Sequence, residues 1–323
     1  MTQFKYADIR PGTPPRRKNR LQSFRRVIAN NYQLYIMLII PVALLIIFCY
    51  VPMYGAQIAF KNYSLAKGIW DSPWAGLKWF EKFVNSAMFV QVLGNTLILN
   101  VYSLAMGFPF SILLALSLNY VQNAVFKKTI QMISYAPNFI STVVMTGIMF
   151  QLFSPIYGVF GQGLSALAGK SVDIFLIPGS FRHIMVWSGV WQGVGFGSII
   201  YISALSAVSP ELHEAAIIDG ANILQRVRHV DFPVVLPVII VQLILSMGGL
   251  LNTGYEKVLL LQNTLNLSTS EVIDTYAYKM GLKSAIPNHS YGAAIGLFKS
   301  LICFVLLAAV NRLANRFSET SLW

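Results

Sequence analysis

Four histidines, two cysteines and twelve carboxylates are the main resources that the 323 residues offer for acid–base, nucleophilic or metal chemistry, and their spacing supplies none of it. His183, His213, His229 and His289 are scattered, with no H-x-x-x-H or C-x-x-C pair of the kind that brings two metal ligands together. Cys49 and Cys303 both sit in apolar runs, which argues against a disulfide framework. Gly163 and Gly169-Lys170-Ser171 approach a phosphate-binding loop but carry one residue too many between the glycines. What remains is the chemistry of contact. Trp187, Trp191, Gln192, Gly193, Phe196 and Gly197 set large rings beside missing side chains. Glycines at helical spacing serve close helix packing, whereas rings beside glycine-made hollows also hold sugars by stacking on their C–H faces.

The elements that must position these groups are membrane helices. Hydrophobic residues make up 55% of the chain, charged residues only 11%, and the mean hydropathy is +0.59, more apolar surface than a soluble domain of this size needs. Apolar segments run over 34–54, 90–118, 130–153, 184–208, 234–251 and 291–310. Each is near or above the roughly 18 to 20 residues that cross a hydrocarbon core, so six crossings are expected. Pro41, Pro109 and Pro137 fall inside three of them, as packed membrane helices tolerate.

Eight of the 24 Lys and Arg lie in residues 1–33, opposed by Asp8 alone. A basic arm directly before an apolar segment could bind nucleic acid, but it reads far better as a cytoplasmic retention signal, and the absence of a small-residue cleavage site after Tyr50 leaves the first span uncleaved. With that arm inside, the loops at 119–129 and 209–233 and the tail at 311–323 are inside too. Fourteen Lys and Arg then fall inside and nine outside, the expected bias. The first outer loop, with Trp70, Trp74, Trp79, Phe80 and Phe83 interleaved with lysine, suits a short helix lying in the membrane interface, or a surface on which an outer partner docks.

Lys299 stands near the middle of 291–310, where a charge costs at least ~2.5 to 3.5 kcal/mol on insertion scales. It pairs with helix carbonyls or a partner subunit, or it is a cation lining the route of an anionic substrate. The second reading favours uronic-acid oligosaccharides, such as alginate or pectin fragments, over neutral sugars.

The longest charge-bearing interruption between spans is Pro210 to Pro237. Ser209 fits an N-cap, Pro210 the first helical position, and Glu211 and Glu214 the first turns, where the helix dipole favours negative charge. The pattern breaks at Gly220 and resumes with Ile223, Val227 and Val230 on one face, which predicts two short helices joined at a glycine. From spacing alone this is either a hairpin lying on the membrane surface or a protrusion whose small residues admit a partner's groove.

Glu214-Ala215-Ala216, Asp219-Gly220-Ala221, Phe232-Pro233 and Leu236-Pro237 closely resemble the EAA loop of permease subunits in ATP-driven importers, departing from it at Val230-Asp231-Phe232-Pro233, where the family usually has an uncharged, threonine-containing run. Pro52-Met53-Tyr54-Gly55, Ala59-Phe60-Lys61, Gly76-Leu77-Lys78, Gly94-Asn95-Thr96, Ile133-Ser134-Tyr135-Ala136-Pro137, Ile273-Asp274-Thr275-Tyr276 and Glu319-Thr320-Ser321-Leu322-Trp323 extend the likeness along nearly the whole chain, to the LplB-type branch of bacterial carbohydrate-importer permeases. The resemblance implies an all-α membrane protein with six transmembrane helices in the type I ABC importer arrangement. It implies a 34–310 permease domain between the basic arm and the tail, and location in the bacterial inner membrane with both termini cytosolic. Glu214, Ala215, Ala216, Asp219, Gly220 and Ala221 would couple to the ATPase. Gly193, Phe196, Gly249 and Asn252 would line the substrate pathway, with Lys299 added on its own account. The implied partners are a second, different permease, two ATPase subunits that bind the ATP and magnesium, and an extracytoplasmic solute-binding protein. No cofactor of its own and no enzymatic activity are expected. A receptor or scaffold that binds a soluble partner through the hairpin, or a permease for a non-sugar solute, is the alternative. A proton-coupled carrier is disfavoured because no acidic residue falls inside a span and no inverted repeat is visible between 34–153 and 184–310.

Overall fold

The computed structural model describes residues 31–317, with side chains through Arg312. The basic arm up to residue 30 and the terminal Glu319-Thr320-Ser321-Leu322-Trp323 lie outside the described residues. Among the described residues all regular structure is helical apart from two isolated bridges, Lys61 with Trp74 and Ser64 with Gly68. Contacts divide the chain into two units meeting at Ala56 and Gln57. The first belongs to α1, Tyr32–Phe60, a run so uniformly apolar that Pro41 and a π turn at Ile46–Tyr50 interrupt its hydrogen bonding without ending it.

The second unit is built on α3, Phe89–Asn119, and α7, Pro178–Leu205, packed side by side along their lengths. Glycine decides how near the helices come. A Cβ added at Gly195 would lie 1.9 Å from the Ser134 carbonyl oxygen on α4, Ala124–Tyr135, and one at Gly197 2.9 Å from Ser111 Oγ on α3. At Gly195 only a residue without a side chain lets the two backbones meet, whereas at Gly197 the glycine makes room for the Ser111 hydroxyl.

Among the described residues four helices are long and apolar enough to cross a membrane, and up to six crossings result if each of two bent pairs is one span. The segment 130–153 falls in one of those pairs, and the break expected at Pro137 is a bend of 104° between α4 and α5, Thr142–Leu152. The cause is local. Pro137 removes an N–H and sits in a 3₁₀ turn at Ala136–Phe139, and Ser141 starts a new helix by accepting from the Val144 N–H at 3.4 Å. Gln192 on α7 donates its side-chain amide to the Ile140 carbonyl at 2.8 Å, so the break leaves that acceptor satisfied.

The 209–233 loop differs from two short helices. Its first leg is α8, Pro210–Ile218, and Gly220 turns the chain at φ +78°, a region costly for any residue with a side chain. The second leg is the opening of α9, Ile223–Gly248, started by an Asn222–Gln225 capping box and carried through a π turn at Val227–Asp231. Beyond α9 come α10, Tyr255–Leu261, α11, Ile273–Tyr278, and α12, His289–Phe317.

Three apolar clusters hold the unit together. Leu99, Met149, Phe181, Val186, Val258 and Leu261 join α3, α5, α7 and α10; Phe83, Val92, Ile273, Tyr291 and Ile295 join α3, α11, α12 and α2, Lys78–Val84; Ala115, Tyr201, Leu205 and Val235 join α3, α7 and α9. Trp79 and Phe83 therefore serve the core rather than a membrane interface, because α2 packs against α12, while Trp70 and Trp74 stay exposed.

Candidate substrate cavity and coupling loop

A cavity of about 620 Å³ opens between α3, α7 and α9. Asn100, Ser103 and Ser111 reach it from α3, Gly189, Gly193, Phe196 and Gly197 from α7, Gln242 and Ser246 from α9, and Gly249 and Leu250 from the turn after α9. No Asp, Glu, Lys, Arg or His is among its lining residues. Its polar groups are two amides and several hydroxyls, which donate or accept as a ligand requires, set among aliphatic and aromatic side chains. Two glycines on α7 divide the two readings of the sequence between them. Gly195 is a packing glycine, whereas a side chain at Gly193 would meet nothing within 4 Å and only occupy open space.

Of the pathway residues expected from the sequence, Gly193, Phe196 and Gly249 line this cavity. Asn252 lies just outside its wall, with Nδ2 3.7 Å from where a Cβ at Gly249 would stand. Lys299 is elsewhere. Its Nζ lies 2.6 Å from Oδ1 of Asp274 on α11, and both side chains are largely buried, at 14% and 21% exposure. An in-chain carboxylate thus answers the cost of that charge, a partner that neither expectation for Lys299 included. Asn100, Ser103, Gln242 and Ser246 were legible but overlooked. Polar residues three to four apart inside otherwise apolar helices mark a face that avoids lipid.

Around Asp274 the turns that flank α11 are tied by buried polar groups. Glu271, 5% exposed, receives Lys279 Nζ at 2.5 Å and Thr275 Oγ1 at 2.9 Å. Asn95 donates to the carbonyls of Ser268 and Glu271, both at 3.0 Å, and accepts from Arg182 at 2.7 Å; the Ile273 N–H donates to Thr96 Oγ1 at 2.9 Å. The motif segments Gly94-Asn95-Thr96 and Ile273-Asp274-Thr275-Tyr276, far apart in the chain, therefore meet. Lys257 on α10 is 8% exposed, and burial pushes its ammonium down to about 8.

At the opposite end, Glu214, Ala215 and Ala216 sit on α8 and Asp219, Gly220 and Ala221 form the turn after it. Glu214 is exposed, and Ala216, Asp219, Gly220 and Ala221 line a second hollow of about 320 Å³ with Gln225, Arg226, His229 and Val230. Beneath α8 lies a fully buried carboxylate, Asp231. Its Oδ2 accepts from the Tyr120 hydroxyl at 2.6 Å, and its Oδ1 stands 3.3 Å from both Asn119 Nδ2 and His213 Nε2. Burial, then the hydrogen bond to Asp231 and its charge, push the Tyr120 hydroxyl well above its usual range, so it stays a donor.

Comparison with known proteins agrees with this architecture. Residues 107–319 match the family described as binding-protein-dependent transport system inner membrane component. Protein LplB of Bacillus subtilis strain 168 is 37% identical over 301 residues, 93% of this chain and 94% of that protein. The polygalacturonan/rhamnogalacturonan transport system permease protein YteP of the same strain is 37% identical over 308 residues, 95% of each chain. Among solved structures, a chain of a bacterial ABC transporter involved in the import of the acidic polysaccharide alginate superposes with a TM-score of 0.82 at 34% identity, over 91% of this chain and 99% of that one. The helical order, the breaks at Pro137 and Gly220 and these likenesses lead to one assignment: the chain belongs to the binding-protein-dependent inner-membrane transport components, as a multi-pass permease of the ABC importer type.

Proposed function

We propose that this chain is one of two different permease subunits of an importer that carries oligosaccharides, uronate-containing ones included, into the cytosol at the expense of ATP hydrolysed by two partner subunits. An extracytoplasmic binding protein delivers the cargo, ATP and magnesium stay on the ATPases, and both termini and α8 face the cytosol. The observation that carries the reading is the charge-free cavity between α3, α7 and α9. Hydroxyls, amides and a phenyl ring suit a sugar's own mixture of hydroxyls and C–H faces. A carboxylate on such a sugar can be met by amide and hydroxyl donors, and without a buried cation it is also free to leave, as a transport path demands. The acidic cargo class is supported by the polygalacturonan and alginate importers among the relatives and does not depend on Lys299, whose charge Asp274 already answers.

In this mechanism ATP closes the ATPase dimer, α8 is drawn with it, and the helices around the cavity reorient from inward- to outward-facing. Glu214, exposed on α8, faces the ATPase, and the turn at Gly220 sets the angle between α8 and α9. Proteoliposomes holding this chain with candidate permease, ATPase and binding-protein partners test it. Uronate oligosaccharides presented by the binding protein should raise ATP hydrolysis about tenfold over neutral ones, a coupling of usual size. Failure of every oligosaccharide to stimulate hydrolysis or to be taken up would sink the assignment. A Gly220→Trp variant should reach the membrane yet take up cargo at less than about a tenth of the normal rate, because the left-handed turn and the small surface are both lost.

A further inference from the structure

Asp231 lies in Val230-Asp231-Phe232-Pro233, the run at which the chain departs from the pattern it resembles, and it is fully buried. A buried carboxylate is tolerated only when hydrogen bonds replace its water. Here two come from the end of α3, and a histidine of α8 stands beside them. Asn119 and Tyr120 close the end of α3, and His213 lies in the middle of α8. Asp231 itself ends the π turn at the head of α9. The rings of Tyr120 and His213 meet edge to face at 6.1 Å, and the Arg226 guanidinium covers the Tyr120 ring at 5.2 Å. One carboxylate thus touches the coupling helix and the ends of two of the three cavity-lining helices. The third, α7, is joined to α8 covalently through the short turn 206–209.

Resting on the importer reading above, we propose that Asp231 is a positioning residue for transport: with Tyr120 and His213 it forms the joint that hands a displacement of α8 to α3 and α9. A surface helix held only by its two peptide connections could tilt without moving the bundle. The contact of His213 with Asp231 ties α8 to α9, the hydrogen bonds from Asn119 and Tyr120 tie α3 to the same carboxylate, and the π turn beside it supplies a bulge that can change register without unfolding the helix. Pro233, two residues on, lacks the N–H that regular α-helical bonding would require there, which keeps the bulge in place.

The reconstituted complex tests the joint with Asp231→Asn and, because that change alters a fully buried group, with the milder Tyr120→Phe, which removes one hydroxyl and keeps the ring. The readouts are the amount of assembled complex and, per assembled complex, oligosaccharide taken up per ATP hydrolysed. The joint predicts that this ratio falls about tenfold in Asp231→Asn and severalfold in Tyr120→Phe while the complex still assembles. A purely structural anchor would lower the amount of complex and leave the ratio at its normal value, and that result overturns the joint. A normal ratio in both assembled variants overturns it as well. If the unsubstituted complex shows no response to its binding protein, the importer reading falls and the joint with it; a full response there with unchanged variants removes the joint alone.

Discussion

The cavity between α3, α7 and α9 and the turns around α10 and α11 treat charge in opposite ways. The cavity lining contains no titratable acid or base apart from a tyrosine hydroxyl, while the turns around α10 and α11, with the facing side of α12, gather Glu271, Asp274, Lys257, Lys279 and Lys299, buried or largely so. Two of those lysines close on carboxylates, and their bonds staple α11 to α12 and to its own entry turn. The difference teaches where this chain can carry charge. Electrostatic bonds are useful where a contact must persist, and harmful along a route whose contacts must form and break at each cycle.

Substitutions on both sides break or sharpen that contrast. Gly195→Val, on the packed side of α7, forces its side chain into the α4 backbone and should destabilise the unit by about 3 kcal/mol or more, read as loss of folded protein in detergent. Two residues away, Gly193→Asp places a carboxylate in open cavity; it should fold normally and lower uptake of acidic oligosaccharides ~100-fold, whereas Gly193→Ala should stay within about threefold. Equal losses from the aspartate and the alanine would show that volume, not charge, governs the cavity.

Between α11 and α12, Lys299→Met leaves Asp274 without its cation and should cost about 2 kcal/mol, most of it recovered in the Lys299→Met, Asp274→Asn double variant. A double variant no better than the single one would mean that the pair is incidental. The smallest effect is expected at Lys257. Below pH 8 it is charged in folded and unfolded chain alike, and the burial cost is fully present. Between about 8 and about 10.4, the usual lysine value, the folded chain has released a proton that the unfolded chain still holds, so stability rises with pH across that window. Lys257→Met should raise stability at pH 7 by about 1 kcal/mol and flatten that rise, as thermal melts at pH 7 and 9.5 would record.

Composition and the lengths of the apolar runs were enough to announce a membrane helix bundle, because the hydrocarbon core imposes a length on anything that crosses it. The turn at Gly220 was legible for an equally local reason: a glycine between two helical patterns is where the backbone can enter the left-handed region. Pro137 and Ser141 marked a break in 130–153, but not that the chain would turn through so wide an angle there. Three proline-containing spans look alike in sequence, and only the segment whose freed carbonyl meets Gln192 turns through 104°.

The partners of the charges were beyond sequence as well. Asp274 lay in an outer loop by every pattern, and only the packing of α11 against α12 brings it to Lys299. Asp231 looked like a departure from a motif until Asn119, Tyr120 and His213 were found around it. Sequence determines what each segment can become, since solvent, helix period and backbone freedom act on neighbours in the chain. Which buried groups find each other depends on contacts between residues on different helices, and those exist only once the helices have packed.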